Sequence, residues 1–375
     1  MSSNINVPPV RVVFDEDDRK NILSEIDAVL QSGMVAASTK VKEFEEFWAE
    51  YCGSKHAIAC SNGGAALEVL MKAMDIKGKD VLVPTNTFVA TVNAVIFAGG
   101  NPIFLDLDPN TMCVTLEEIK NKKTESTVGV LPVHIGGIIS PEMENISSWC
   151  KENNLWLIED AAHAHGSEFN GKRAGQFGLA AAYSFFATKV ITAAEGGMIV
   201  CDDDGLAEAC RGLRDYGKRS QWETVHTYLS SNYRMNEVTA VIGHYQAKKL
   251  DSFLQDRDTV ADEYKKHLSG KIDLIMPSGR SSWYKFMALP EIGISQDDIR
   301  TKLKARSISL AGGVYDIPVH LQPVFQEMGS VPSLPLSEDI CPRHICLPIW
   351  VGMSNEQVEH VISSLIEVLE ELKTG

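Results

Sequence analysis

Leu155-Trp156-Leu157-Ile158-Glu159-Asp160-Ala161-Ala162-His163-Ala164-His165-Gly166 is the stretch that decides the fold. Four apolar residues run into an acidic pair, then into small residues and two histidines. A short apolar run bounded in this way predicts a buried strand. In parallel α/β sheets ligands bind beyond the carboxyl ends of the strands, so the acidic pair is expected at a site. Side chains alternate along a strand. Asp160 is therefore expected to face a ligand, and Glu159 to be a structural ion pair or hydrogen-bonded carboxylate on the other side.

Outward from this run the chain alternates short apolar segments with helical patterns, which predicts an α/β fold with a mainly parallel central sheet. Strands are expected at Ala57–Cys60, Asp80–Pro84, Pro102–Leu107, Val128–Val133, Leu155–Glu159, Ala180–Phe186 and Gly197–Cys201. Helices are expected at Ala65–Met74 and about Ala90–Ala98. From Asn236 the pattern changes to long charged helices, Val238–Leu250 and on to His267. A smaller α+β region follows, with strands near Trp283–Leu289, a helix at Asp297–Arg306 and a closing amphipathic helix at Asn355–Leu372. The boundary is placed near Leu250, giving a large domain over 1–250, with an N-terminal helical segment, and a small C-terminal domain over 251–375.

Composition bounds the function. At 375 residues the chain holds two domains and a large core. A net charge of −15 argues against nucleic-acid or anionic-membrane surfaces, which need basic patches. No apolar run approaches the roughly 20 residues of a membrane span. Eight scattered cysteines without a C-x-x-C pair read as reduced core thiols. The N-terminus lacks the basic and apolar regions of a signal peptide. The expectation is a cytoplasmic protein.

The chemistry turns on Tyr183-Ser184-Phe185-Phe186-Ala187-Thr188-Lys189, followed by Glu195-Gly196-Gly197. A strand-end carboxylate, a hydroxyl and a lysine suit a pyridoxal phosphate site. Lys189 would form a Schiff base with the cofactor aldehyde, and Asp160 would keep the pyridine nitrogen protonated. Ser61-Asn62-Gly63-Gly64-Ala65-Ala66 links a strand to a helix whose first N–H groups attract an anion, a cradle for the phosphate with Ser184 adding a hydroxyl. Phe88, in Thr85-Asn86-Thr87-Phe88, could stack on the pyridine ring, although an aromatic after a strand is by itself more often core. His163, His165 and Asp160, with His134, could be drawn as a metal cluster. That reading leaves Lys189 unexplained, so no metal is expected; His163 serves better as a donor to the cofactor's phenolic oxygen. His165 is expected to be supporting or structural. Arg214, Lys218, Arg219 and Arg234 could anchor a substrate phosphate or carboxylate, or form a solvated surface.

Taken together these segments resemble the DegT/DnrJ/EryC1/StrS sugar aminotransferases, of the aspartate aminotransferase superfamily. The resemblance runs from Lys42-Glu43-Phe44-Glu45-Glu46-Phe47 to Leu347-Pro348-Ile349. It is strongest over Glu159–Gly166, over Ser184–Lys189 with Glu195-Gly196-Gly197, and over Asn232-Tyr233-Arg234-Met235-Asn236-Glu237. Pro84–Thr91, Pro132–Gly136 and Val319–Pro323 add to it. The resemblance implies a fold-type I transferase holding pyridoxal phosphate covalently on Lys189, which also shuttles protons. It further implies that Asp160 partners the pyridinium, Ser184 binds phosphate, Gly64 and Ala65 give backbone contacts to phosphate, and Phe88 stacks on the ring. Asn232 would reach the phosphate of a neighbouring subunit's cofactor, making the active unit a homodimer.

His163 stands where the family usually has glutamine, Gly64 where threonine is usual, and Ala36-Ala37-Ser38 where a glycine-containing loop is common. The implied reaction is ping-pong transfer of an amino group from an amino acid, glutamate first, to a keto sugar. The Ala187-Thr188-Lys189 and Glu195-Gly196-Gly197 pattern resembles members acting on a 4-keto sugar more than those acting at C3, which implies a nucleotide-linked 4-keto-6-deoxy sugar; a 3-keto sugar or an inosose stays open. A sugar dehydratase of the same family would carry histidine in place of Lys189. A non-catalytic binding protein would need none of this chemistry.

Overall fold

The computed structural model describes residues 5–218, 224–327, 329 and 331–374. Each apolar run of the first two-thirds forms a strand: β1 His56–Cys60, β2 Asp80–Pro84, β3 Asn101–Leu105, β4 Thr127–Val130 and β5 Trp156–Asp160. A small hairpin, β6 Glu168–Phe169 with β7 Lys172–Arg173, precedes β8 Ala180–Ser184 and β9 Gly197–Cys201. Seven of these make one sheet in the order β1-β9-β8-β5-β4-β2-β3. The β2–β3, β2–β4, β4–β5 and β5–β8 pairs are parallel, and β9 alone runs against both its neighbours. The expected run Val128–Val133 leaves the ladder early because Pro132 has no N–H to give. Val133 keeps a single bridge to Asp160.

Both faces of the sheet are buried, which is why its strands read as continuous apolar runs. One face packs on Phe44, Trp48, Met143 and Ile146, and the other on Leu67, Leu70, Val92 and Leu206. Helix Gly63–Ala73 starts directly after β1, capped by Asn62 Oδ1, which accepts from Ala65 N at 2.8 Å. Gly63 is required here: a Cβ on it would lie 2.7 Å from Ser184 Cβ, so only glycine lets the helix start press against the end of β8.

Helix Leu250–Leu268 joins two cores. Its Leu250, Phe253 and Leu254 pack with the sheet, whereas Val260, Tyr264 and Leu268 belong to a second core with Phe286, Leu303, Val361 and Leu365. The second core is built on an antiparallel sheet of β10 Asp273–Leu274, β11 Phe286–Leu289 and β12 Ile345–Leu347, with helices Gln296–Ala305 and Asn355–Thr374. Val7, from the N-terminal segment, is fully buried in it and bridges to Ile308.

The strand expected over Trp283–Leu289 is shorter than the apolar pattern. Trp283 adopts a left-handed backbone, φ 48°, and Tyr284 and Lys285 lie outside the ladder. Ser281 Oγ accepts from Trp283 N at 3.0 Å, Asp258 accepts from the indole N–H at 2.7 Å, and Arg257 donates to Trp283 O at 2.7 Å. Three side chains thus hold the turn that carries Tyr284 and Lys285 back toward the large sheet.

Candidate active site

The carboxyl ends of β5 and β8 and the start of helix Gly63–Ala73 open into one cavity of about 520 Å³. Asp160, Lys189, Ser184, His163, Gly64 and Phe88 line it, so folding brings together residues as far apart in sequence as Gly64 and Lys189. Tyr284, Lys285 and the segment Gly312–Tyr315 close it from the C-terminal part of the chain.

Asp160 is buried. Its Oδ2 accepts from Thr91 Oγ1 at 2.8 Å and its Oδ1 from Ala162 N at 3.1 Å. Thr91 in turn meets Thr87 Oγ1 at 2.7 Å. Burial raises the Asp160 pKa, and the Thr91 and Ala162 hydrogen bonds and the Lys189 charge work against that rise. A carboxylate so placed needs a cationic partner in the cavity.

Lys189 sits on the opposite terms. Burial pushes its amine down to about 7, Asp160 pulling the other way and Lys285 adding to the depression. Its Nζ stands 4.6 Å from the centre of the Tyr284 ring. At neutral pH a large share of this amine is uncharged, as a nucleophile or proton carrier requires.

His163 stacks on Tyr284, ring centres 4.2 Å apart, and its Nδ1 accepts from Gly136 N at 3.3 Å. The proton of the neutral ring therefore rides on Nε2, which faces Tyr315 Oη at 3.4 Å. Burial, with the Lys189 and Lys285 charges, holds its pKa well below 6.5.

The anion cradle takes a particular form. Ala65 N is engaged by Asn62, while Gly63 and Gly64 stand at the helix start where amides lack an intrahelical acceptor. Ser184 Oγ lies beside them, accepting from Phe186 N at 3.4 Å. Phe88 caps the next helix and stacks toward Tyr315 at 6.1 Å.

Glu159 points away from the cavity. It is fully buried and accepts from Gly175 N at 2.8 Å, from Phe177 N and Gly178 N at 2.9 Å, and meets His134 Nε2 at 2.8 Å. His165 packs among Trp48, Tyr183 and Phe185, and burial drops its pKa to about 3. Asn232 stands apart: it is exposed, bridges to Asp215, and is no part of the cavity lining. Arg214 is paired with Glu45 at 2.5 Å and Arg234 with Asp215. Neither they nor Lys218 line the cavity, and Arg219 lies outside the described residues.

Sequence reasoning passed over Thr91, Tyr284, Lys285 and Tyr315. Thr91 falls three residues after Phe88, one helical turn on, a spacing that could have found it. The other three come from the C-terminal part of the chain, and no local periodicity marks them.

A buried carboxylate, a poorly charged amine, an imidazole donor and two free helix-start amides around one cavity fit pyridoxal phosphate. Comparison with known proteins agrees. The model of the DegT/DnrJ/EryC1/StrS aminotransferase family matches residues 16–366. The chain belongs to that family. It is 31% identical over 366 residues to the GDP-perosamine synthase of Vibrio cholerae, covering 96% of this chain and 98% of that one. It is 32% identical over 358 residues to the dTDP-3-amino-3,6-dideoxy-alpha-D-galactopyranose transaminase of Aneurinibacillus thermoaerophilus, covering 92% and 95%. The crystal structure of NtdA from Bacillus subtilis with bound cofactor PMP superimposes with a TM-score of 0.90 at 26% identity, covering 98% of this chain and 86% of that one. This family member is a pyridoxal-phosphate-dependent sugar aminotransferase with a fold-type I architecture. Among the described residues no helix is long and apolar enough to cross a membrane.

Proposed function

We propose that this aminotransferase moves the amino group of an amino acid, glutamate first, to a nucleotide-linked 4-keto-6-deoxy sugar. The observation that carries the reading is the pairing within one cavity of the Lys189 amine, at about 7, with the buried Asp160 carboxylate. Preference for C4 rests on the Ala187-Thr188-Lys189 and Glu195-Gly196-Gly197 pattern, and the nucleotide link on likeness to a GDP-perosamine synthase. A transaminase of a 3-amino sugar among the relatives keeps C3 as the competing position.

Pyridoxal phosphate, when bound, supplies a reactive aldehyde and a ring that withdraws electrons. In this reading Asp160 holds the ring nitrogen's proton, with Thr91 and Ala162 keeping the carboxylate aimed and charged. Gly63 and Gly64 amides with Ser184 Oγ hold the phosphate, and Ala65 joins them where Asn62 yields its amide. His163 Nε2 donates at the phenolic oxygen, and Phe88 covers one ring face. Lys189 Nζ would hold the aldehyde at rest; once displaced, it would carry a proton from the donor's α-carbon to the cofactor's C4′, acting as base and then acid, and would run that transfer in reverse, from C4′ to the sugar carbon, in the second half-reaction. Tyr284 and Tyr315 narrow the cavity and keep water from the moving proton. The large region, 1–250, carries the cofactor contacts; the small region, 251–375, supplies the closing wall. Asn232, exposed and outside its own cavity, reaches the cofactor phosphate of a second subunit in a homodimer.

The test is spectroscopic. Purified protein mixed with pyridoxal phosphate should gain an absorbance band absent in Lys189→Ala, and glutamate should bleach it. The pyridoxamine form is then offered a panel of nucleotide-linked 4-keto and 3-keto sugars. Turnover of a 4-keto sugar supports the proposal; turnover confined to 3-keto sugars, or a band indifferent to every amino acid, defeats it.

A further inference from the structure

Lys285 is a charged side chain that the reaction above does not use. It lines the cavity from the second core, on the turn braced by Arg257, Asp258 and Ser281. Its own amide donates to Gly136 O at 3.1 Å, which ties it to the residue beneath His163. Its Nζ lies 5.3 Å from the centre of the Tyr284 ring, the same ring over which Lys189 Nζ lies at 4.6 Å.

Among the described residues no carboxylate forms an ion pair with Lys285. Arg214, Arg234, Lys40, Lys72 and Lys249, all partly buried cations, each have one. The acidic groups of the cavity are otherwise placed: Asp160 is bound by Thr91 and Ala162, and Glu195 lines the cavity without meeting Lys285. The remaining titratable neighbours, Lys189, His163, Tyr284, Tyr315 and the Cys346 thiol, which burial pushes up to about 11, bring no negative charge at neutral pH. A half-buried ammonium held over a cavity beside a second amine is electrostatically unsatisfied until an anion arrives.

We infer that Lys285 is the subsite that takes a carboxylate of the amino-acid donor. The donor must present its amino nitrogen where Lys189 Nζ stands, and its carboxylates follow within a few bonds. Both amines share one tyrosine ring, so a carboxylate there falls within reach of Lys285. A nucleotide-linked sugar carries its phosphate across the sugar ring from a C4 keto group, farther from the reacting nitrogen. The inference deepens the proposed reaction and rests on its use of an amino-acid donor. It makes Lys285 a specificity-determining residue, and its position predicts a loss in donor binding rather than in cofactor binding.

The experiment uses the full-length protein loaded with pyridoxal phosphate and follows the band in single-turnover half-reactions. In Lys285→Met the glutamate concentration giving half-maximal rate should rise about tenfold or more, as loss of a charge-assisted contact requires. The limiting rate and the cofactor affinity should change far less, and Lys285→Arg should recover most of the loss. Running the pyridoxamine form with 2-oxoglutarate should show the same penalty, whereas the keto-sugar half-reaction should not. A Lys285→Met variant with unchanged donor dependence would overturn the inference alone. A penalty confined to the sugar arm would overturn it too, assigning the charge to the phosphate instead. A pH profile displaced with no change in donor dependence would reduce Lys285 to a neighbour that tunes Lys189, and so also overturn it. A wild type that reacts with no amino acid would overturn both the inference and the reading beneath it.

Discussion

Thr91 Oγ1 donates to Asp160 Oδ2 across 2.8 Å, from the first turn of helix Val89–Phe97 to the last residue of β5. The bond is buried and opposes the rise that burial imposes on the Asp160 pKa. Thr91→Val keeps the shape and removes the donor. The carboxyl should then protonate at higher pH than in the wild type, and cofactor affinity should fall. An unsatisfied buried acceptor costs about 1–3 kcal/mol, so urea unfolding of the apo-protein should show a loss of that size. Equal cofactor affinity in wild type and Thr91→Val would contradict this account.

Lys189 links the site to stability. Its folded pKa, about 7, lies below its ordinary 10.5, so the unfolded chain binds more protons between those values. The stabilising contribution is present above 10.5 and is lost as pH falls through about 7. Apo wild type should therefore gain stability over that window, and Lys189→Met should show a flatter dependence. Capture of pyridoxal phosphate should accelerate through about pH 7 instead of continuing to climb toward 10.5. Denaturant midpoints and stopped-flow traces across pH measure the two effects.

His163 is kept neutral by burial and by two lysine charges. Activity should show no inflection from this ring above pH 6.5, its ordinary value. His163→Gln keeps a donor and should retain activity within about tenfold, while His163→Leu should lose more, in line with a lost hydrogen bond to a charged oxygen. Nitrogen NMR of labelled histidine would report the proton on Nε2; a proton on Nδ1 would contradict the Gly136 contact.

Glu159 tests architecture rather than chemistry. Three backbone N–H groups and His134 converge on it. Glu159→Gln turns an amide NH₂ toward donors, and removal of a buried partnered charge costs about 3–5 kcal/mol. Thermal and urea unfolding should show that loss, while folded protein still binds cofactor at Lys189. A stability within error of wild type would refute the role.

Asn232 tests assembly. Lys189→Ala and Asn232→Ala, each inactive alone, should restore glutamate-driven bleaching when co-expressed, because one of the two shared sites in a mixed dimer carries neither change. Absence of restoration in a demonstrated heterodimer would place Asn232 in its own subunit's chemistry.

The central strands were legible because they are buried on both faces and so read as short apolar runs; Trp156–Asp160 and Gly197–Cys201 come within a residue of expectation. The edges were not. Pro132 ended one strand, and the left-handed Trp283 ended another, since the ladder stops where an N–H is missing or the backbone turns. Glu195-Gly196-Gly197 also had a local reason: a Cβ on Gly197 would lie 2.1 Å from Asn62 O, so β9 and the helix start require glycine there.

Asp160, Ser184 and the glycine turn announced themselves because each lies at a strand end or helix start, and Lys189 because it follows β8 by five residues in the turn that leaves it, positions set by chain-local pattern. What only the tertiary structure decided is what surrounds them. Tyr284, Lys285 and Tyr315 reach the cavity from the C-terminal part of the chain, and among the described residues no carboxylate pairs with Lys285, while Arg214 and Arg234 are paired elsewhere. Residue type and spacing determine which groups can do chemistry. Their protonation and their partners depend on burial and on charges brought close by long-range packing, and those distances are absent from any local stretch of the chain.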